Sequence, residues 1–302
     1  MDNEDNNLLV SIGLPVYNGV PRIRQALNCL LGQEYKNIEL IISDNASTDE
    51  TRKICEEYAK NDNRIRYIRQ EKNLGQVNNI TYVIKEAKGE YFMLASDDDF
   101  WDPEFISILK PVLDKYSQYG VAMSSVLRVY DDGSVRDEVC YTGELNLTNL
   151  NYSRVFEMMF SERPIHWFCG LFRTKLLQNL LRIPFPKCKA HDRVFMCELA
   201  LATHFYSLPN ILYKKTGYRQ SVSERYSNDE IGAALRDNKR HFRYVWAVVS
   251  RVIRSRNIPL GRKLRILPIY LTIFLWRNRV FLRELSPRIF EGLQKVKHFF
   301  YE

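Results

Sequence analysis

Residues 8–51 read LLVSIGLPVYNGVPRIRQALNCLLGQEYKNIELIISDNASTDET, and this stretch decides the fold. The apolar run at 8–14, ended by Pro15, predicts a buried strand. A helical pattern follows from about Pro21 to Leu31, and IELIIS at 38–43 predicts a second strand. Ser47 and Glu50 are spaced as a capping box for a helix running to about Tyr58. The pattern then repeats: strands at 65–68 and 91–95 bracket a helix near 76–86, and Asp102-Pro103-Glu104 gives the start of another helix. Strands alternating with helices in units of about 25–30 residues predict an α/β fold with a mixed, mostly parallel central sheet and flanking helices. No GxGxxG follows the first strand, so a dinucleotide-binding fingerprint is absent.

Beyond this frame, residues 121–145 predict a strand and a hairpin around Asp132-Gly133, and 191–201 a helix. The 302 residues are 45% apolar and 26% charged, which excludes collagen-like, low-complexity and wholly disordered chains. Six cysteines show no Cys-x2-4-Cys spacing, which argues against a zinc knuckle and for free thiols in a reducing, cytoplasmic setting. The acidic start MDNEDNN lacks the basic n-region of a signal peptide. The net charge of +8 is uneven: residues 1–235 hold 28 Lys/Arg against 32 Asp/Glu, and residues 236–302 hold 16 against 4. A mildly acidic body at 1–235 and a basic helical extension at 236–302 are therefore the expected domains.

In an open parallel sheet, ligands bind beyond the carboxyl ends of the strands. Four polar clusters fall there: Pro15-Val16-Tyr17-Asn18, Asp44-Asn45-Ala46-Ser47, Asn73-Leu74-Gly75 and Asp97-Asp98-Asp99. Three adjacent carboxylates repel one another, and Mg²⁺ or Mn²⁺ would relieve that cost, the metal bridging to a diphosphate. The plain alternative is a solvated turn before the helix that Asp102 caps. Asp44 and Asn45 suit a uracil N–H or ribose hydroxyls, or else form an Asx turn.

Together, PVYNG at 15–19, SDNASTDET at 43–51, NLG at 73–75 and SDDDFWDP at 96–103 resemble the donor-binding half of family 2 glycosyltransferases, inverting enzymes of the GT-A fold. The resemblance covers about residues 8–115, with 116–235 as the acceptor half. It implies a nucleoside-diphosphate sugar donor, most often UDP-linked, with Mn²⁺ or Mg²⁺ on the diphosphate. It places Tyr17, Asp44 and Asn73, with Pro15, Asn18, Asn45 and Gly75, around the nucleotide. Asp97 and Asp98 lie by the ribose or sugar, and Asp99, with Asp97, at the metal.

The resemblance also implies a catalytic base at a helix start, where Asp192 matches and His191 replaces the usual Glu. Asp192 would take the acceptor's proton, with His191 as a helper or a packing residue. Arg219 would reach the diphosphate from a late loop, and Gly170 would allow close approach of a sugar.

The tail adds a partner. Leu264–Trp276 is apolar and basic-flanked but too short to span a bilayer, which needs about 20 residues. It suits an anionic membrane surface and a lipid-linked glycan acceptor in surface polysaccharide assembly. Packing on the catalytic body or a homodimer seam is the competing reading, and Pro268 would kink either. A non-catalytic nucleotide-sugar or glycan-binding protein is the alternative function. No nucleic-acid partner is expected, because no recognition motif accompanies the basic residues.

Overall fold

The computed structural model describes residues 7–20, 22–139, 143–145, 167–186, 191–217 and 240–277. They belong to two compact units. The first comprises Met1–Asn151, Glu162–Arg182 and Thr203–Ser221, and the second Tyr152–Ser161, Ile183–Ala202 and Val222–Glu302.

The first unit is a mixed sheet covered on both faces. Its strands are β1 (Val10–Val16), β2 (Ile38–Asp44), β3 (Ile65–Arg69), β4 (Tyr91–Leu94), β5 (Phe100–Trp101), β6 (Tyr119–Tyr130), β7 (Val135–Val139), β8 (Gly143–Leu145), β9 (Leu171–Arg173) and β10 (His204–Gly217). The order is β3-β2-β1-β4-β9-β6-β10-β5, with β7 on β6 and β8 on β10. β1 to β4 run parallel, and β10 runs parallel to β6. β9 is antiparallel to both β4 and β6 and joins the two parallel sets.

Period-two alternation splits β1 between two layers. Val10, Ile12, Leu14 and Val16 share a buried cluster with α1 (Ile23–Leu31), α2 (Thr51–Asn61) and α4 (Phe105–Lys115). Gly13 faces the other way. A methyl there would lie 2.7 Å from the Phe92 ring and 2.9 Å from Val83 of α3 (Gln76–Glu86). α5 (Thr174–Leu180) joins α3 through Gln178, whose Nε2 donates to the Ile84 carbonyl at 3.2 Å.

Three local expectations are corrected. Pro15 does not end β1: the strand continues to Val16, and Pro15 pairs in register with Ser43. The Gly13 carbonyl accepts from Ala95 on the β4 side, so Pro15, two residues on, would aim its missing N–H beyond the end of β4, where no ladder bond is lost. Ser47 does not cap α2, which starts at Thr51 after Glu50, without a side-chain cap bond. The Ser47 amide is taken by Asp44 Oδ1 at 2.8 Å and its hydroxyl by the Asn18 amide at 3.0 Å. Asp102 acts two residues before the cap position: its Oδ1 accepts from the Glu104 amide at 3.0 Å, and α4 follows from Phe105.

The second unit contains α6 (His191–Ala202), α7 (Arg240–Arg254) and α8 (Leu260–Arg277). Val245, Val248 and Val252 of α7 are buried, at helical spacing, whereas Trp246 and Ile253 are exposed. The apolar residues of α7 thus lie on two faces. α6 and α7 share a buried ion pair, Arg251 to Glu198, with the guanidinium also 5.0 Å from the Phe195 ring. Desolvation lowers the Arg251 pKa despite the Glu198 charge. α8 runs through Pro268, and no helix among the described residues is long and apolar enough to cross a membrane.

Candidate functional site

Strands β1 to β4 deliver their following loops to one edge of the sheet, and hydrogen bonds lock the first three of these loops together. The Gly19 amide donates to Thr51 Oγ1 at 2.8 Å, and Asn18 Oδ1 accepts from the Thr48 amide at 2.9 Å. The Asn45 amide donates to the Val16 carbonyl, and its side chain accepts from the Leu74 amide at 2.7 Å and donates to Asn73 Oδ1 at 2.9 Å. Asn73 Oδ1 also accepts from the Gly75 amide at 2.8 Å. Asn18 and Ala46 hold positive φ of 52° and 61°, left-handed conformations that cost energy outside glycine. Tyr17 stands out from this lattice, about half exposed.

Asp44 forms the floor. It is fully buried; Oδ1 accepts from Ser47, and Oδ2 from the Tyr67 hydroxyl at 2.8 Å and Arg69 Nη1 at 3.0 Å. Arg69 Nη2 further donates to the Ser47 carbonyl at 3.1 Å, so the guanidinium ties β3 to the β2 loop. Burial and the neighbouring Asp44 charge raise the Tyr67 phenol above its ordinary range. Asp44 thus bears on the surface of the site through Tyr67 and Arg69. Neither residue stood out in the sequence, although Arg69 is the last residue of a strand ending at this edge.

The three aspartates are not equivalent. Asp97 is partly buried beside the first loop: a methyl on Gly19 would come within 3.0 Å of its Oδ2. Burial first, then the Asp98 charge, raises its pKa to about 6, against a weaker opposing pull from Arg22. Asp98 Oδ1 accepts from the Ser96 hydroxyl. Asp99 is enclosed by β10: Oδ2 accepts from the Tyr213 hydroxyl and from Lys215 Nζ at 2.9 Å, and Oδ1 from the Thr216 amide at 2.9 Å. Burial alone would lower the Lys215 ammonium, but Asp99 outweighs it and holds the ammonium above the usual lysine range. Lys214, one residue earlier, turns to the Phe100 ring at 5.3 Å. Tyr213 and Lys215 carry no local sequence signal, being 114 and 116 residues from Asp99.

Hard oxygen ligands suit Mg²⁺ or Mn²⁺, and Asp97 stands beside a second carboxylate, Asp98, whose charge raises its pKa. No cluster of three His, Cys, Asp or Glu side chains among the described residues forms a complete cage, so phosphate and water would complete the coordination. The fit is good at Asp97 and poor at Asp99, both of whose oxygens already accept from the protein.

Asp192 occupies the first turn of α6 and is exposed, as a proton acceptor must be. His191 precedes it, edge-on to Phe185 at 6.0 Å. Gly170 makes its close approach within the fold: a Cβ there would lie 2.7 Å from the Ala122 carbonyl. Arg219 lies outside the described residues.

A sheet with this strand order and a loop lattice at its β1–β4 edge invites comparison with known proteins. The profile of Glycosyl transferase family 2 matches residues 11–181, more than half of the chain and the whole of that edge. The chain belongs to this family. An uncharacterized glycosyltransferase of Haemophilus influenzae is 25% identical over 80% of the chain and 75% of its own length. One from Rickettsia conorii is 40% identical over 73% of the chain, which spans only 36% of that relative. Among solved structures, S. aureus TarS 1-349 in complex with UDP-GlcNAc superposes with a TM-score of 0.66 at 21% identity, over 94% of this chain and 79% of that one. The mannosyltransferase PcManGT from Pyrobaculum calidifontis, in complex with GDP-Man and Mn²⁺, gives 0.52 at 15% identity, over 97% and 87%. At these identities the structural likeness establishes the GT-A fold.

Proposed function

We propose that this family member is an inverting glycosyltransferase. It would move a sugar from a nucleoside-diphosphate sugar, UDP-linked in the first instance, to a hydroxyl of a glycan or lipid-linked glycan in surface polysaccharide assembly. The observation that carries the reading is the locked lattice of the loops after β1, β2 and β3, with Asp97 of the loop after β4 against Gly19. Such a surface is ordered before the ligand arrives, so binding does not bear the cost of ordering it. UDP-GlcNAc in TarS, and GDP-Man with Mn²⁺ in PcManGT, support the donor class.

In this proposal Tyr17 lies along the base, Asn73, Asn45 and Gly75 shape the nucleotide cleft, and Asp44 acts through Arg69. Asp97 and Asp98 hold Mn²⁺ or Mg²⁺, and the cation, when bound, supplies positive charge to the departing diphosphate. Asp192 accepts the acceptor's hydroxyl proton while that oxygen bonds to the anomeric carbon. The bond from that carbon to the diphosphate oxygen breaks on the opposite face, releasing the nucleoside diphosphate with the bonding electrons and inverting the centre. Arg219 would meet the leaving diphosphate.

The acceptor's membrane enters through the second unit. Residues 240–277 contain nine Lys/Arg and no Asp or Glu. Exposed Ile253, Leu260 and Leu264 gather where α7 meets α8, as Lys263 Nζ donates to the Ile253 carbonyl at 3.0 Å. A peripheral seat on an anionic cytoplasmic leaflet follows from that chemistry.

The test is transfer of radiolabelled sugar from a panel of UDP-, GDP- and dTDP-sugars to envelope glycolipid extracts. Asp192→Asn should bind the selected donor within about threefold of wild type and lose about 100-fold or more in transfer, the scale of a general base. Unchanged transfer in that variant would remove Asp192 as the base. Donor binding by wild type without transfer to any acceptor would favour the binding-protein alternative.

A further inference from the structure

The aspartate of the triplet best placed by sequence to hold a metal is the one the protein has already satisfied. Asp99 accepts from the Tyr213 hydroxyl, Lys215 Nζ and the Thr216 amide, and Thr216 Oγ1 donates to the Asp98 carbonyl, which fastens the turn to β10 a second time. To ligate a cation, Asp99 would have to give up an ammonium, a phenol and an amide in a buried setting, where a lost partner is costly.

The two members of the ion pair are unequally covered. The Asp99 side chain is 2% exposed and that of Lys215 is 36% exposed. The Lys215 side chain therefore remains reachable from solvent while Asp99 does not, beside the turn whose Asp98 carbonyl accepts from Thr216. An anion approaching this edge meets two carboxylates on one side and a lysine, fixed by Asp99 and drawn from another strand, on the other.

We infer that Lys215 is a standing cation for the donor's diphosphate and that Asp99 is its positioning residue, not a metal ligand. This rests on the glycosyltransferase reading and sharpens it. The diphosphate is held from two sides, by a divalent cation at Asp97 and by an ammonium that needs no metal. Asp99 sets the ammonium's position and, through Thr216, fastens the end of β10. A long flexible lysine loses rotamer freedom when it binds phosphate; here the Asp99 contact has already removed much of it.

The experiment is isothermal titration with two nucleotide/nucleoside pairs, UDP against uridine and GDP against guanosine, in EDTA and in Mn²⁺. In EDTA, wild type should bind one diphosphate at least tenfold more tightly than its nucleoside. Lys215→Met should reduce that preference to near one and leave nucleoside affinity within about twofold, and Lys215→Arg should restore part of it. Should Lys215→Met fold poorly, the double variant Asp99→Asn/Lys215→Met, which removes both charges, should also lack the preference. Electron paramagnetic resonance of Mn²⁺ with the nucleotide should show protein-bound metal in Asp99→Asn and not in Asp97→Asn.

The inference is overturned if wild type in EDTA shows no preference for the diphosphate, if the preference survives loss of Lys215, or if bound Mn²⁺ disappears in Asp99→Asn but persists in Asp97→Asn. Wild type that binds a diphosphate only with Mn²⁺ would sink the role of Lys215 alone. Wild type that binds neither nucleotide with Mn²⁺ would sink the glycosyltransferase reading with it.

Discussion

Replacing Asp97 by Asn should stabilise the protein at neutral pH. Burial and the Asp98 charge hold the Asp97 pKa at about 6 against an ordinary 3.8. At about 1.36 kcal/mol per pKa unit, that gap is a penalty of about 3 kcal/mol on the folded state once the carboxylate is ionised. Asp97 keeps some contact with water, which brings the working figure down to about 1–2 kcal/mol. The sign follows from proton counting. Between pH 3.8 and 6 the folded state binds more protons than the unfolded chain, so this group's contribution falls as pH rises through the window. The penalty is complete above pH 6 and absent below 3.8.

Differential scanning fluorimetry in EDTA, from pH 4 to 8, should therefore show Asp97→Asn about 3–6 °C above wild type at pH 7.5, the gap closing toward pH 4. Adding Mn²⁺ with nucleotide at pH 7.5 should raise wild type more than the variant, because the cation relieves a charge that only wild type has. A variant no more stable than wild type at pH 7.5, or a gap that does not change with pH, would refute the reasoning.

The buried pair in the second unit behaves oppositely: Arg251→Met leaves Glu198 fully buried without its counter-charge, with only Asn257 among the described residues donating to it at 3.4 Å, and should cost about 3–5 kcal/mol by urea denaturation. Glu198→Leu combined with Arg251→Met should recover most of that loss. At the α7–α8 corner, Leu260→Glu with Leu264→Glu should cut cosedimentation with phosphatidylglycerol vesicles about tenfold or more. Neutral phosphatidylcholine should bind wild type weakly, and equal binding to both lipids would remove the electrostatic part of the membrane proposal.

The frame over 8–115 was legible because β1, β2 and β4 are largely apolar runs buried on both faces, and each ends in a polar cluster at the same edge. α3 begins and ends where the pattern put it, at Gln76 and Glu86. What escaped depends on contacts remote in sequence. The Ser47–Glu50 spacing fits a cap, but Asp44 and Asn18 compete for the Ser47 amide and hydroxyl and win, so α2 starts later. Asp99 looks like its two neighbours until β10 is laid beside it. Trp246 and Ile253 fit the helical period of α7 yet lie outside its buried stripe, since a period alone does not say how wide the inward face is. Gly170 is small for the sake of a neighbouring strand, which a sequence displays no differently from smallness for a ligand.

The irregular middle of β10 has a consequence of its own. Against β6 its register jumps from Leu208 to Ile211 and again from Ile211 to Tyr213, so three unmatched residues precede the last stretch of the strand. An odd number of extra residues reverses which side chains face which way. Carried on from Leu208 without the jumps, the pairing would set Leu212 opposite Arg128, the place Lys215 now holds. A fault in the pairing some distance upstream thus brings a lysine, in place of a leucine, to Asp99. Deleting one residue at 209–210, with the pairing upstream held, would bring Thr216 opposite Arg128 and take the ammonium away from Asp99.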